Sequence, residues 1–246
     1  MAAAGAHGGG GELMLALLAD ARLPTGAHTQ SGSLEPALRG GLRPDQVPAF
    51  LTARLRTVVR VEAGVAVVAR HVAAHPDGAA AAGLVAVWRH WEARTPSRAL
   101  RDSSVRLGRG QQRLLTGLWP EHPGVGALSA AVALRRTADR SPSAGHPPRP
   151  LVVGVTAACA GLSGAQTARL VAYDDAQTVA AATLKLAPLD PVETIRWVVD
   201  ARDDIETLVA EVRDLTDAAR IPASGAPLIE QWAETHARTD ERLFSA

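Results

Sequence analysis

The chain has 246 residues, 47% of them hydrophobic and only 3% aromatic, and its formal net charge at pH 7 is +1. This near-neutral balance gives no indication of a surface that binds nucleic acid. Cys159 is the only cysteine, which excludes an intramolecular disulfide or a thiolate zinc cluster and predicts a reducing, cytoplasmic location. We expect no signal peptide, because the N-terminus has no early basic residues and Glu12 and Asp20 bracket the short apolar run Leu13–Ala19. We expect no membrane contact, because no uncharged apolar run reaches about 18 residues.

Helices are predicted along almost the whole chain, because alanine and leucine supply much of the hydrophobic fraction and both favour helices. Residues 1–11, rich in alanine and glycine, are predicted to be a disordered tail. The predicted helices that follow are Glu12–Ala19, Ser31–Arg39, Asp45–His75, Ala79–Arg94, Pro96–Leu118, Ala127–Ala138, Leu151–Leu162, Ala165–Lys185 and Val192–Ala219. A break is allowed near Gly64, and Thr95 is expected to cap the helix that begins at Pro96. The predicted fold class is all-α, a single-domain bundle of about eight to ten helices with its core in residues 12–221.

The segment Leu151–Leu162 also fits a buried strand, since it contains the run Leu-Val-Val-Gly-Val-Thr. Its alanine-rich surroundings and the lack of a second strand candidate favour a buried helix. Residues 222–227 hold two prolines and a glycine and are predicted to be a hinge. Beyond it, Trp232 and Phe244 belong to a terminal amphipathic segment. We therefore interpret residues 222–246 as a hinge followed by a segment that docks on a partner.

Sequence motifs of common catalytic sites are missing. The sequence has no G-x-x-x-x-G-K-[ST] phosphate loop, no strand-led G-x-G-x-x-G and no H-E-x-x-H. His71 and His75 are spaced i, i+4 and share a predicted helix face, where two imidazoles can bind nickel, zinc or copper. No further ligand stands at a suggestive spacing, so we expect two solvated histidines and no metal site. The sequence thus predicts no catalytic residue, no tightly bound cofactor and a role in binding or scaffolding.

The segment Leu17–Glu35 combines a leucine-rich helix, the turn Leu23–Gly26, a short loop containing His28 and the run Ser31–Glu35. This segment resembles the N-terminal signature of the urease accessory protein UreF family, except that Ser33 replaces the usual glycine. The physical roles agree with the resemblance, because proline and glycine shape the turn and a serine can cap the helix that follows.

Three further segments are similar to the same family and occur in the same order along the chain. They are Arg94–Ser97 with Gly108, Leu114 and Leu115; Tyr173 with Lys185–Leu189; and Ala226–Glu230 with His236 and Arg242–Ser245. There are departures as well. Asp174 and Asp175 stand where the family usually has small or aromatic residues, and Asp190-Pro191 replaces Gly-Gln.

The resemblance implies an all-helical, non-catalytic protein that forms a homodimer. It implies a complex with the accessory protein UreD (also called UreH) and the GTPase UreG on apo-urease, so that nickel is handled by the complex. Together with the apolar pattern of the C-terminal segment, it gives the candidate partner-binding residues Pro24, Gly26, His28, Ser31, Glu35, Tyr173, Lys185, Pro188, Trp232, Arg242, Leu243 and Phe244.

Three other interpretations stay open on the residues alone. A helical adaptor of the same kind could serve a metalloenzyme other than urease, a helical ligand-responsive regulator could bind DNA, and a helical enzyme could hold a cofactor. The regulator is disfavoured because no basic helix-turn-helix face stands out. The enzyme is disfavoured because no cluster of titratable residues is predicted to converge on one site.

Overall fold

Helices form the regular structure of the residues that the computed structural model describes, which are 8–138, 145–239 and 243–244. The α-helices are α1 (Gly8–Leu18), α2 (Leu34–Arg39), α3 (Val47–Arg56), α4 (Val58–Ala74), α5 (Ala80–Arg94), α6 (Arg98–Leu118), α7 (Pro123–Ala138), α8 (Arg149–Cys159), α9 (Gly164–Leu186), α10 (Pro191–Asp200), α11 (Arg202–Val212) and α12 (Pro227–Ala237). Short 3-10 turns lie at Ala27–Thr29, Pro44–Gln46 and Ala218–Arg220. No β-strand occurs in these residues, which confirms the all-α prediction. The segment predicted as the helix Leu151–Leu162 is helical as far as Cys159, where α8 ends, and residues 160–162 lie outside the helix.

The centre of the bundle is α4, which packs against α8 on one side and α9 on another. Most of α4 is buried, and its buried positions are valine, alanine and glycine. These small side chains let neighbouring helices approach closely. At Gly154 of α8, an added Cβ would lie only 2.3 Å from the carbonyl oxygen of Ala66 in α4, so glycine is required at this crossing.

The buried apolar residues fall into two clusters on either side of α4. The first cluster joins α3, α9, α11 and α12 and includes Leu34 and Phe244. The second joins α4, α5, α7 and α8 around Trp88 and Trp91, which are 1% and 2% exposed. None of the helices in the described residues combines the length and apolar character needed to cross a membrane.

The predicted helix Asp45–His75 is divided into α3 and α4, and the break lies at Thr57 and not near Gly64. Thr57 has the non-helical dihedrals φ −126° and ψ −93°, and its Oγ1 donates a hydrogen bond to the carbonyl oxygen of Ala53 at 2.6 Å. Such local side-chain bonds compete with the helical pattern. Gly64 instead stays inside α4, where an added Cβ would lie 2.9 Å from Pro222 Cδ.

The predicted helix Val192–Ala219 is also divided, into α10 and α11, with the junction at Ala201 and the last helical residue at Val212. Other helices also begin away from their predicted positions: α1 at Gly8 rather than Glu12, α7 at Pro123 rather than Ala127 and α2 at Leu34 rather than Ser31, with shifts of one or two residues at α3, α5, α6, α8 and α9. At α6 the cap is Ser97 and not Thr95, because Ser97 Oγ accepts the Leu100 N–H at 3.2 Å.

Candidate functional site

The turn of the N-terminal signature lies against α6. Gly26 has a positive φ of 82°, which glycine adopts without strain. A Cβ on Gly110 of α6 would lie only 2.5 Å from the carbonyl oxygen of Thr25, so the turn packs tightly on this helix. Pro24 and His28 are exposed, and both remain available for contacts outside the chain.

Two consecutive residues with positive φ lead from this loop into α2. Gly32 has a φ of 59°, and Ser33, with a φ of 64°, is the one non-glycine residue with positive φ in the described part of the chain. For an L-residue this conformation costs roughly 1–2 kcal/mol, so glycine would suit position 33 better. The N-cap position of α2 is Ser33 and not Ser31, and the Ser33 side chain makes no capping bond. Ser31 Oγ, two residues earlier, accepts the backbone N–H of Glu35 at 3.3 Å. The bend places Glu35 in the first turn of α2 with its side chain inside the protein.

Glu35 holds the C-terminal tail of the chain. Its side chain is 1% exposed, and its carboxylate oxygens accept the backbone N–H groups of Leu243 and Phe244 at 2.8 and 2.9 Å. Arg39, one helical turn later, provides a counter-charge, with Nη2 2.9 Å from Glu35 Oε1. Hydrogen bonds to an ionised acceptor are roughly twice as strong as neutral ones, so these two bonds anchor the tail backbone.

The ring of Phe244 is enclosed and only 4% exposed. Lys185 Nζ lies 5.1 Å from the ring centroid, within the range of a cation–π contact. His236 Nε2 lies 3.3 Å from the carbonyl oxygen of Phe244 and 3.8 Å from Glu35 Oε2. We call Glu35, Arg39, Lys185 and His236 the tail-docking residues. Glu35 and His236 contact the tail backbone, Lys185 contacts the ring of Phe244, and Arg39 pairs with Glu35.

Helix α12, which precedes the tail, is held by α2, α3 and α6. Glu234 accepts hydrogen bonds from Ser97 Oγ at 2.7 Å and from the backbone N–H of Ala99 at 2.9 Å, at the beginning of α6. The ring of Trp232 is half-buried, with its centroid 6.1 Å from that of Phe50 in α3. These contacts hold α12 against the rest of the bundle.

A buried group of charges joins α3, α4, α8 and α9. Arg54 Nε donates to Asp175 Oδ2 at 2.9 Å, and the two side chains are 6% and 9% exposed. Arg149 forms ion pairs with Asp174 and with Glu62, the latter at 3.4 Å. Two guanidinium groups thus face three carboxylates. Burial raises the pKa of Glu62, so this group keeps its proton to a higher pH than an exposed glutamate.

A cavity of about 310 Å³ connects the charged group with the tail-docking residues. Its lining includes Gly32 and Ser33 of the signature, Glu62 and Asp174 of the charged group, and His236 of α12. Within residues 8–138, 145–239 and 243–244, no three His, Cys, Asp or Glu side chains lie close enough together to hold a metal ion. The arrangement is suited to holding a peptide segment in place rather than to assembling a metal centre.

Most of the chain is similar to known proteins. A sequence model of the UreF family matches residues 43–202. Relatives named urease accessory protein UreF are 32% identical over 239 residues in Mycobacterium marinum and 33% identical over 237 residues in Mycolicibacterium vanbaalenii. The alignments cover 95% and 94% of this chain and 98% and 97% of those relatives. The chain belongs to the UreF family.

The UreF signature and the C-terminal residues, which are far apart in sequence, meet in the structure. Glu35, Lys185, Leu243 and Phe244 are brought together at the tail-docking residues, and Trp232 lies on the adjoining helix. The other candidates are dispersed: Pro24, Gly26 and His28 lie on the turn against α6, Tyr173 is 38% exposed on α9, and Pro188 is exposed between α9 and α10. Arg242 lies outside the described residues.

Sequence reasoning missed several residues of the UreF site. His236 was noted only as part of a C-terminal motif, yet it contacts both Glu35 and Phe244. Arg54 and Asp175 pair across 121 residues, and neither lies in a recognisable motif. The departures at Asp174 and Asp175 were the available signal, because an acidic residue in an apolar helix needs a buried cation as its partner.

Proposed function

We propose that this chain is a non-catalytic scaffold in urease maturation. In this role it bridges a UreD/UreH-type accessory protein and a UreG-type GTPase on apo-urease while nickel, the cargo of the complex, is inserted. Membership of the UreF family and the names of the relatives support the proposal. The observation that carries it furthest is the meeting of the signature carboxylate Glu35 with Leu243 and Phe244.

The C-terminal tail is the proposed docking element for the UreD/UreH-type partner. Inside the chain, the tail is held by Glu35 and His236 at its backbone and by the ring of Phe244, a contact small enough to exchange for a contact with another protein. Trp232 and Phe244 would serve as the aromatic anchors, each contributing roughly 2 kcal/mol or more, as aromatic hot spots do. Because Phe244 is 4% exposed, it must leave its own chain before it can enter a partner.

A homodimer is proposed to form through the outer face of α9 and α10. Val192, Ile195 and Val199 follow the spacing i, i+3, i+7 on α10 and are 63%, 49% and 62% exposed. Leu184 and Tyr173, 41% and 38% exposed, share one face of α9, since eleven residues are close to three helical turns. An apolar stripe of this length on a surface is typical of an interface, and a two-fold axis would cover the stripe on both copies at once.

The nucleotide chemistry of the complex would belong to the GTPase, because this sequence has no phosphate-binding loop. We place the protein in the cytoplasm, where its single thiol would remain reduced. Burial raises the pKa of Cys159 to about 11, so this residue is a poor nucleophile at neutral pH and fits a structural role.

Capture of the UreD/UreH-type partner tests the docking proposal. The chain truncated after Thr239 keeps α12 and removes Phe244, and it should lose most of the partner that the full chain recovers. Phe244→Ala should lose partner as well, whereas Leu134→Ala, a change to an exposed leucine on α7, should behave as the full chain does. Equal recovery by the truncated and full chains would show that the tail is not the docking element.

Truncation after Ile221 is the more severe form of this test. It removes α12, which packs on α2 and α6, together with the whole segment 222–246. We predict that residues 12–221 remain a folded helical core that no longer binds the partner. A helical circular dichroism spectrum with cooperative melting would support this division of the chain, and loss of cooperativity would contradict it.

A further inference from the structure

Two imidazoles lie side by side at the C-terminal end of α4. His71 belongs to the last turn of the helix, and His75 follows directly after its end. Their ring centroids are 5.2 Å apart, with an angle of 45° between the planes. Two imidazoles bound to one ion through bonds of about 2.0–2.1 Å have centroids roughly 5 Å apart, so this spacing suits a shared ion.

A backbone hydrogen bond determines which nitrogen of His75 can bind a metal. Nδ1 of His75 lies 3.1 Å from the carbonyl oxygen of His71. A carbonyl oxygen only accepts, so Nδ1 carries the hydrogen and Nε2 carries the free lone pair. Metal-binding histidines commonly donate their second N–H to a carbonyl in this way, which fixes the tautomer before the ion arrives.

The position of the pair at the C-terminal end of α4 bears on the charge of the ligand it would take. The carbonyl groups at the end of the 17-residue helix α4 present the negative end of its dipole, which attracts a cation. Arg70, whose Nε donates to the carbonyl oxygen of Leu162 at 2.6 Å, keeps its positive charge and opposes a cation.

In place of the two solvated histidines expected from the sequence, we propose that His71 and His75 form a two-imidazole site for a late first-row divalent cation, with water completing the coordination. The affinity of nitrogen ligands is higher for Ni²⁺ than for the earlier first-row metals, and it is higher still for Cu²⁺. With no third protein ligand nearby in the described residues, the ion would be open to solvent and readily exchanged. This inference does not depend on the proposed scaffold role, because His71 and His75 are not among the tail-docking residues on which that role rests.

Calorimetric titration of the untagged full chain with NiCl₂ tests the site. We expect one ion per chain, and at least about tenfold weaker binding in His71→Ala and in His75→Ala, because each leaves a single imidazole without the chelate. The double variant should bind little worse than either single variant. His90→Ala, which removes a histidine of α5 that belongs to neither the proposed metal site nor the tail-docking residues, is the matched control and should bind as the wild type does.

Cu²⁺ provides a spectroscopic test on the same proteins. The electron paramagnetic resonance spectrum of the wild type should contain hyperfine splitting from two imidazole nitrogens, reduced to one in each single variant. Circular dichroism confirms that the variants are folded. Absence of saturable binding, or binding that survives His75→Ala unchanged, would overturn the proposal, as would separate and additive losses in the two single variants.

Discussion

Replacement of Glu35 by glutamine should release the C-terminal tail while leaving the bundle folded. The amide of glutamine keeps one oxygen that can accept an N–H group, but its NH₂ group would face the second N–H donor. Of the two bonds to Leu243 and Phe244, one is therefore lost and the other loses its ionic character. The ion pair with Arg39 is lost as well, although the arginine is 47% exposed and can turn to solvent.

The size of the effect follows from these contacts. A hydrogen bond to a charged group contributes about 1.5–3 kcal/mol, so the loss of one bond and the weakening of another should destabilise tail docking by about 2–3 kcal/mol. Every 1.4 kcal/mol corresponds to about tenfold in an equilibrium constant. The population of the undocked tail should thus rise roughly 30- to 100-fold.

Native-state hydrogen exchange measures this population directly. The amides of Leu243 and Phe244 should lose protection by the same factor in Glu35→Gln, because both donate to the altered side chain. The amide of Thr239, which donates to the carbonyl oxygen of His236 at 3.0 Å, should change little and serves as an internal reference. Glu121→Gln, at an exposed site, is the matched control. Unchanged protection of Leu243 and Phe244 would refute the role assigned to Glu35.

Three other substitutions test the fold around the site. Ser33→Gly should raise the free energy of unfolding by about 0.5–1 kcal/mol, because it relieves the left-handed strain but gains some entropy in the unfolded chain; urea denaturation that shows no gain would contradict this. Glu62→Gln should be more stable than the wild type at pH 8, and the difference should shrink as the pH falls toward 5. The raised pKa of Glu62 means that the folded wild type gains stability as this group takes up its proton, and a difference independent of pH would argue against the assignment. Gly154→Ala should lower the melting temperature, because its Cβ would meet Ala66 at 2.3 Å and cost about 1–3 kcal/mol; Gly126→Ala, in α7 with nothing within 4 Å, should instead be neutral or stabilising.

Local signals were sufficient for the helices but not for their breaks. The apolar run from Leu151 was correctly predicted as a helix rather than a strand, although the helix ends at Cys159 and not at Leu162, since a lone apolar run has no strand to pair with and alanine favours a helix. The junctions at Thr57 and Ala201 carry neither proline nor glycine. The apolar spacing continues across both junctions, and it therefore predicted one continuous helix at each. In the structure, Thr57 leaves the helical region while its Oγ1 bonds to Ala53, a choice that tertiary packing makes.

The contacts of the candidate site were beyond sequence reasoning for a different reason. The signature predicted that Glu35 matters, and the C-terminal pattern predicted the same of Phe244. Nothing in either segment indicates that the two meet across 209 residues. The pair of Arg54 and Asp175 is hidden in the same way, because each reads as an isolated charge in an apolar helix. Without a second sequence to compare, pairing information of this kind is missing from the chain.

The way in which Glu35 binds the tail affects which changes the tail can accept. The carboxylate takes hydrogen bonds from the main chain at positions 243 and 244, and the side chain of Leu243 is 61% exposed. Most replacements of Leu243 therefore keep its backbone N–H donor, whereas proline at position 243 or 244 removes the N–H of that residue. The number of residues between the end of α12 at Ala237 and Phe244 decides whether the donors reach the carboxylate. C-terminal tails of relatives should therefore vary freely in sequence at this point while keeping their length.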